Sequence, residues 1–284
     1  MLSETYSTRQ FYGPQSGPAE PLSLSLLLGP GAFMYAVSSG QFKTITEIGH
    51  VQSAQPGYFA EGAAEKLPAL VQNFFLQRKP FEKVNIALLN RQFTLVPEAY
   101  GQGDLKSLLR FASGSAEVKN AAVHQLKGIH FCYTAGHDLV NYLEKTFANA
   151  SIRHAGAVNL SLFFSQHSLA PAHVFLNIGD GCMELCIKEN NELLFYNVFP
   201  FETNEDILYY LLFTMEQFRQ DPLLIKLVVA AERPADDELF KGLKKYIRQV
   251  SFCVHDRLVQ LNGELQQLPQ HYYFTLLNQH ACEL

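Results

Sequence analysis

The sequence predicts an α/β protein built from two halves that share one order of elements, β-β-β-α-β, around a mixed sheet. Three observations predict this class. Short strand-like runs, a helix and a further strand follow one another from residue 21, and the same order returns from residue 174. A Gly-x-Gly turn closes the first strand of each half, at 29–31 and at 179–181. We therefore expect an extended N-terminal tail over 1–20, a first domain over 21–168 and a second over 169–284.

The first half opens with three runs that alternate and end at turn residues. LSLSLLL, AFMYAVSS and FKTITEIG are separated by Gly-Pro-Gly and Ser-Gly-Gln, which predicts a three-stranded meander. An apolar stripe at helical spacing then predicts a helix with Pro68 in its first turn. The runs VNIALL and QFTLVP, joined at Asn90-Arg91, are predicted to form a hairpin. Helices near 105–111 and 138–147, with a strand at 127–134 between them, precede a final strand and helix that end at a polar break near 165–171.

The second half repeats the meander with clearer turn chemistry. Strands are predicted at 174–179, 182–188 and 192–199, joined by Gly-Asp-Gly and by Asn-Asn, residues that accept positive φ in tight hairpins. Thr203 and Asp206 resemble a capping box that starts a helix, which Asp221-Pro222 ends. Aromatic residues on this helix are predicted to be core, because aromatic side chains at helical spacing are usually buried: Tyr209, Tyr210, Phe213 and Phe218. A strand, a second helix and a last strand follow.

Composition excludes several classes of protein. The chain has 284 residues, 48% of them apolar, and a net charge of −5 without a dense basic stripe. A dedicated nucleic-acid binder would need that stripe to neutralise phosphates, so no nucleic acid is expected as a partner. The first 20 residues lack a basic segment followed by an apolar one, and no run of about 18 uncharged apolar residues occurs, so we expect neither export nor a membrane span. Five scattered cysteines favour reduced, buried thiols and hence a cytoplasmic location.

At these motifs the chain resembles a known superfamily. The doubled β-β-β-α-β plan with the IGDG turn resembles the actin, sugar-kinase and chaperone ATPase superfamily, whose members have two RNase H-like halves. Bacterial actin-like proteins of cell division and pilus assembly are the most similar group. NRQFTLVPEAY and ELLFYNVFPFETNEDILYYLLFTMEQF look like an uncharacterised bacterial family, a domain of unknown function with the same fold. The resemblance implies the fold but no established activity.

The resemblance also implies where a nucleotide would bind. In the superfamily two glycine-rich turns bring backbone N–H groups to the phosphates, an acid in each first strand holds the Mg²⁺ sphere or orients water, and a Gly-Gly turn admits the nucleoside. Carried over position by position, this gives a set of candidate cleft residues: Gly29, Gly31, Asn177, Gly179, Asp180, Gly181, Glu184, Ala231 and Glu232.

This sequence departs from the pattern at each chemical position. Leu27 stands where the first acid is expected and Asn177 where the second is, and an amide carries no charge and cannot act as a base. Ala230-Ala231-Glu232 replaces the Gly-Gly turn. We therefore expect no catalytic residue and no metal site by the superfamily mechanism, and ATP with magnesium is disfavoured as a cofactor. The predicted role is that of a degenerate, non-catalytic module in protein interaction or assembly. Its expected partner is an unidentified protein, and a homodimer is possible.

Some alternatives stay open at this point. The chain could be a nucleotide-binding ATPase or small-molecule kinase in which Asp180, Glu184 or Glu232 replaces the missing acids. Conversely, Gly-Asp-Gly could be only a hairpin turn, with Asp180 a turn former and Asn177 a buried amide satisfied by backbone. Cys182, Cys186 and Glu184 share one strand face but lack the further ligands of a metal site.

Overall fold

The computed structural model describes residues 6–13, 20–40, 43–53, 63–75, 80–101, 103–114, 121–147, 149–165, 173–255 and 259–281. The elements of the first half, in chain order, are β1 (Tyr6–Tyr12), β2 (Leu22–Leu28), β3 (Ala32–Ser39), β4 (Thr44–Ser53), α1 (Ala63–Phe75), β5 (Lys83–Leu88), β6 (Phe93–Pro97), α2 (Leu105–Ser113), β7 (Ala121–Leu126), β8 (Ile129–Thr134), α3 (His137–Thr146), β9 (Ala150–His154) and α4 (Ala155–Ser165).

The second half repeats the same core. Its elements are β10 (Val174–Ile178), β11 (Cys182–Glu189), β12 (Glu192–Pro200), α5 (Asn204–Gln217), β13 (Lys226–Ala231), α6 (Glu238–Tyr246), β14 (Gln249–Phe252), β15 (Gln260–Leu261) and α7 (Phe274–Asn278). The first sheet runs β4-β3-β2-β5-β9 after the edge strand β1, and the second runs β12-β11-β10-β13-β14. In the first sheet β2, β3 and β4 pair antiparallel, and in the second β10, β11 and β12 do so. The pairs β2 with β5, β5 with β9, β10 with β13 and β13 with β14 are parallel. The predicted fold of two halves with mixed sheets is confirmed.

Helices cover both faces of each sheet, which is why the strands read as nearly continuous apolar runs. Helices α1 and α3 bury their apolar faces on the first sheet, while α5 and α6 do so on the second. Helix α4 packs in a separate cluster against the other face of the second sheet and the small sheet β6-β8-β7, and α7 packs against β3 and β4. Burying each large apolar side chain contributes about 1.5–3 kcal/mol before entropy is counted, so these clusters supply the main drive for folding.

The N-terminal prediction needs correction, because ordered structure begins before Pro21. Residues Tyr6–Tyr12 form β1, which pairs antiparallel with β4 from Tyr6 opposite Ser53 to Tyr12 opposite Glu47. The C-terminal segment also returns to the first half. Strand β15 pairs with β4 at Ile45, and Gln279 Nε2 donates to the Leu26 carbonyl at 2.9 Å. The boundary at 168/169 stays a prediction.

The predicted hairpin of VNIALL and QFTLVP is wrong. Strand β5 lies between β2 and β9 in the first sheet, whereas β6 pairs with β8 in the separate three-stranded sheet. The Asn90-Arg91 segment is therefore a crossing between sheets. Strand β7 is not among the predicted elements. It pairs with β8 across the turn at Gly128. Pro68 lies inside α1, five residues after its start, and not in its first turn.

Two local signals in the second half are confirmed, whereas the helix predicted to end at Asp221-Pro222 already ends at Gln217. Asn190 and Asn191 have φ of 50° and 63°, as a two-residue hairpin turn requires. Thr203 and Asp206 form a capping box at the start of α5, with Asp206 N donating to Thr203 Oγ1 at 3.2 Å. Within the described residues, no helix is both long and apolar enough to cross a membrane.

Candidate functional site

The two glycine-rich turns are closed by equivalent backbone hydrogen bonds. Gly29 N donates to the Ala32 carbonyl at 2.9 Å, and Gly179 N donates to the Cys182 carbonyl at 3.0 Å. Gly181 has φ of +77°, a conformation that favours glycine. Both turns therefore close the hairpins that the sequence predicted, at the ends of β2 and β10.

These turns touch one another. A Cβ atom added at Gly31 would overlap the backbone carbonyl and Cβ of Asp180, so only glycine permits this approach. At Gly29, by contrast, the nearest atoms would lie 3.9 Å away, an ordinary contact. The candidate cleft is thus closed where the two turns face each other.

The Asp180 carboxylate is held by the other half of the molecule. His50 Nε2 lies 2.7 Å from Oδ2, and Gln52 Nε2 donates to Oδ1 at 2.5 Å. Arg9 Nη2 lies 2.9 Å from His50 Nδ1. Because a guanidinium can only donate, Nδ1 accepts and the imidazole proton sits on Nε2, where it points at Asp180. The interpretation of Asp180 as only a turn former is wrong, since its side chain joins the two halves.

Asn177 belongs to a separate, buried polar network. Its Nδ2 donates to Glu184 Oε2 at 2.6 Å and to Thr275 Oγ1 at 3.2 Å. Thr275 in turn donates to Asn159 Oδ1 at 2.9 Å. The amide is therefore satisfied by side chains of β11 and α7, and the expectation of backbone partners is corrected.

Glu184 is the centre of that network. Its side chain is buried, and it accepts from Asn159 Nδ2 at 2.6 Å and from Tyr196 OH at 2.8 Å in addition to Asn177. Burial raises the pKa of Glu184, and the three donors oppose that rise by stabilising the carboxylate. Each carboxylate oxygen has a partner, so the group is enclosed by protein and not presented to a cleft.

The third candidate turn, at the end of β13, carries the Glu232 carboxyl group, which lies near the contact between Asp180 and His50. Ala231 is buried at the end of β13, and Glu232 Oε1 accepts from Tyr273 N at 2.9 Å. Glu232 is half-buried, and the loss of solvent around its carboxyl group raises the pKa of Glu232 to about 7, with the nearby Asp180 carboxylate adding to the rise. Leu27 packs against the cluster that contains Tyr273.

Glu232 is expected to make the free energy of unfolding depend on pH. Its pKa in the folded protein, about 7, exceeds the ordinary value of 4.5, so between these values the folded state binds more protons than the unfolded state. The free energy of unfolding is therefore expected to fall as pH rises through this window, by at most about 1.4 kcal/mol per pH unit from this group. Glu232→Gln should flatten the slope between pH 5 and 8 in urea titrations; an unchanged slope would remove Glu232 from this role.

Sequence reasoning missed most partners of the candidate residues. No spacing in the sequence links these partners to the glycine turns. They lie in the segment predicted as a tail, in β4, α4 and β12, and in the C-terminal segment: Arg9, His50, Gln52, Asn159, Tyr196, Tyr273 and Thr275.

Tyr273 has φ of 56°, and its hydroxyl is buried without a hydrogen-bond partner among the described residues.

The cysteines of β11 are enclosed. Cys182 and Cys186 are buried, and burial raises the pKa of both thiols, with the nearby Glu184 adding to the rise. The protonated thiol is thus favoured, which makes both groups poor nucleophiles. No group of three potential metal ligands occurs among the residues that the structure describes, and Cys282 lies outside them.

The repeated sheet order and the paired glycine turns define a protein of the actin-like ATPase fold. At 18% identity and a TM-score of 0.64, the chain is similar to the crystal structure, at 1.85 Å, of a Bacteroides thetaiotaomicron protein with that fold and unknown function, covering 93% of this chain and 97% of that one. The PilM-PilN type IV pilus biogenesis complex also matches, at 14% identity and a TM-score of 0.60, over 91% and 97% of the two chains.

The family is shown by sequence. A family model described as a protein of unknown function, DUF3822, matches residues 17–250, and this chain belongs to that family. No curated protein matches the sequence.

Proposed function

We propose that this protein is a degenerate, non-catalytic member of the actin-like ATPase fold that acts by contact with other proteins, in an interaction or an assembly. One observation carries the proposal. Gly31 lies against the backbone of Asp180, and the Asp180 carboxylate is bound by His50 and Gln52, so the space between the two turns holds protein atoms. A nucleotide phosphate would need that space and the freed N–H groups of the turns.

The residues present do not fit a nucleotide with Mg²⁺. Phosphoryl transfer depends on charge placed around the phosphates, and Leu27 and Asn177 supply none. Asp180, Glu184 and Glu232, which could replace the missing acids, each already have protein partners. Among the described residues, the alternative of an ATPase or small-molecule kinase therefore lacks an open site at the two turns.

Binding another protein is the role that remains. The pilus neighbour is a complex of two proteins, so this fold is compatible with such partners. As part of the same proposal we place the protein in the cytoplasm of a bacterium, because its cysteines suit a reducing compartment and a structural neighbour comes from Bacteroides thetaiotaomicron.

Calorimetric titration with ATP and ADP, each with and without Mg²⁺, tests the proposal. We expect no saturable heat up to about 1 mM nucleotide, a limit that corresponds to a binding free energy of about −4 kcal/mol. A sugar kinase of the same fold serves as the positive control, and circular dichroism establishes that the protein is folded. Saturable, Mg²⁺-dependent binding accompanied by phosphate release would overturn the proposal.

A further inference from the structure

The second half exposes an aromatic pocket that the sequence did not predict. Tyr209 and Phe213, expected in the core, are 60% and 46% exposed. With four other rings they line a pocket of about 290 Å³ between α5 and β12, which we call the aromatic pocket: Phe195, Phe199, Tyr209, Tyr210, Phe213 and Phe218. Six rings around one open pocket form a continuous apolar surface, whereas the exposed apolar side chains of a protein are normally scattered singly.

The pocket is preformed by stacking. The rings of Tyr209 and Phe213 lie 5.6 Å apart at 16°, and those of Phe199 and Tyr210 lie 4.6 Å apart at 17°. Ligand pockets for small molecules usually carry several converging polar groups that fix the ligand's orientation. Here the polar side chains are few, and Asn197 Oδ1 is already bound to Val198 N at 2.9 Å. The pocket suits one apolar or aromatic side chain of a protein partner.

Exposed acidic residues lie on α5 and at the ends of β12, the two elements that line the aromatic pocket. Glu205 lies one helical turn before Tyr209, and Glu216 lies nearly one turn after Phe213, so both carboxylates share the exposed side of α5. Glu192 and Glu202 are exposed at the ends of β12 and before α5, and Arg219 is the exposed cation that follows the helix. The exposed charges next to the pocket along the chain are thus mainly negative, which favours a basic partner.

The same chain carries a surface of the complementary kind. Tyr246, Leu223 and Leu224 are 54%, 60% and 70% exposed. Arg248 N donates to the Pro222 carbonyl at 3.2 Å, which brings the end of α6 beside the loop before β13. Exposed cations flank these apolar side chains, with Asp221 as the one acid of the loop. We call this surface the basic apolar patch: Leu223, Leu224, Lys244, Lys245, Tyr246 and Arg248.

The two surfaces lie at different edges of the second sheet. The aromatic pocket adjoins β12, one edge strand, and the basic apolar patch adjoins β14, the opposite edge strand. None of the patch residues lines the pocket of its own molecule. Complementary surfaces at separate places on one chain make a head-to-tail contact between copies, which leaves a free surface at each end.

We propose that a second copy of this chain docks its basic apolar patch into the aromatic pocket, with Tyr246 as the inserted side chain. The inference rests on the proposed role in assembly and names the contact that such an assembly would use. Burial of an exposed Tyr in an aromatic pocket and pairing of lysines with the exposed carboxylates of α5 supply the attraction. Because the contact is head-to-tail, species larger than a dimer are expected at high concentration.

Sedimentation velocity over a concentration series, with charge-reversal variants, tests this contact. The wild-type protein is expected to self-associate, and more weakly at high salt. Lys244→Glu/Lys245→Glu and, separately, Glu205→Lys/Glu216→Lys are each expected to weaken association by at least about tenfold. Mixing the two variants is expected to restore association, because the reversed patch of one then faces the reversed pocket of the other.

The control reverses two lysines elsewhere, in Lys106→Glu/Lys127→Glu, and is expected to associate as the wild type does. A wild-type protein that stays monomeric at every concentration, or variants whose mixture does not recover, would overturn the inference. Association that survives both charge reversals would place the contact elsewhere and would also overturn it. Nucleotide titration of the same samples keeps the two proposals distinct, since a monomer without nucleotide binding removes only this contact.

Discussion

Asn177→Asp is expected to lower the free energy of unfolding by about 3 kcal/mol at pH 7 and to create no nucleotide binding. The substitution restores the acid of the superfamily pattern, but Asn177 Nδ2 now donates to Glu184 Oε2 at 2.6 Å. An aspartate would remove that donor and place a second negative charge against a buried carboxylate. Urea unfolding measures the loss, which should shrink at acid pH as one of the two carboxyl groups binds a proton.

Asn197→Asp is the matched control for that experiment. Asn197 uses its Oδ1 to accept from Val198 N, and a carboxylate can make the same bond. Its effect on stability should be within about 0.5 kcal/mol. An Asn177→Asp protein that is as stable as the wild type, or that binds Mg²⁺-ATP, would contradict the enclosed network described for Glu184.

Gly31→Ala is expected to cost about 1–3 kcal/mol, the usual range for forcing extra atoms into a packed site. The added methyl would overlap the Asp180 backbone, which cannot move without disturbing the turn that Gly179 and Gly181 shape. Gly29→Ala, two residues earlier in the same turn, meets nothing nearer than 3.9 Å and should be close to neutral. Thermal and urea unfolding of the two variants compare them directly; equal effects would mean that the turns do not touch.

The sequence predicts those elements whose signals are local. Apolar alternation, the Asn190-Asn191 turn and the Thr203 capping box each act within a few residues, and all three elements appear in the structure. The doubled β-β-β-α-β order follows from them. Strand β1 lacks a clear apolar period because it is an edge strand with exposed side chains, so its sequence does not distinguish it from a tail.

The candidate site could not be completed from the sequence. His50 and Asp180 are 130 positions apart, and only the packing of the two halves brings them together. The predicted hairpin failed for a related reason, since two adjacent apolar runs do not reveal that their strands join different sheets. Tyr209 and Phe213 have helical spacing typical of a core, yet the sheet ends at β12 and leaves them uncovered.

A double-mutant cycle on His50 and Asp180 tests most directly the claim that the two turns are closed on one another. Unfolding free energies of His50→Ala, Asp180→Ala and the double variant are expected to give a favourable coupling of about 1–3 kcal/mol, as for a partly buried bond to a charged group. The exposed pair Lys241 and Glu238 provides the comparison and should couple by at most about 0.5 kcal/mol. A His50–Asp180 coupling no larger than that of the exposed pair would contradict the closed contact. It would favour the hypothesis that a nucleotide binds between the two turns.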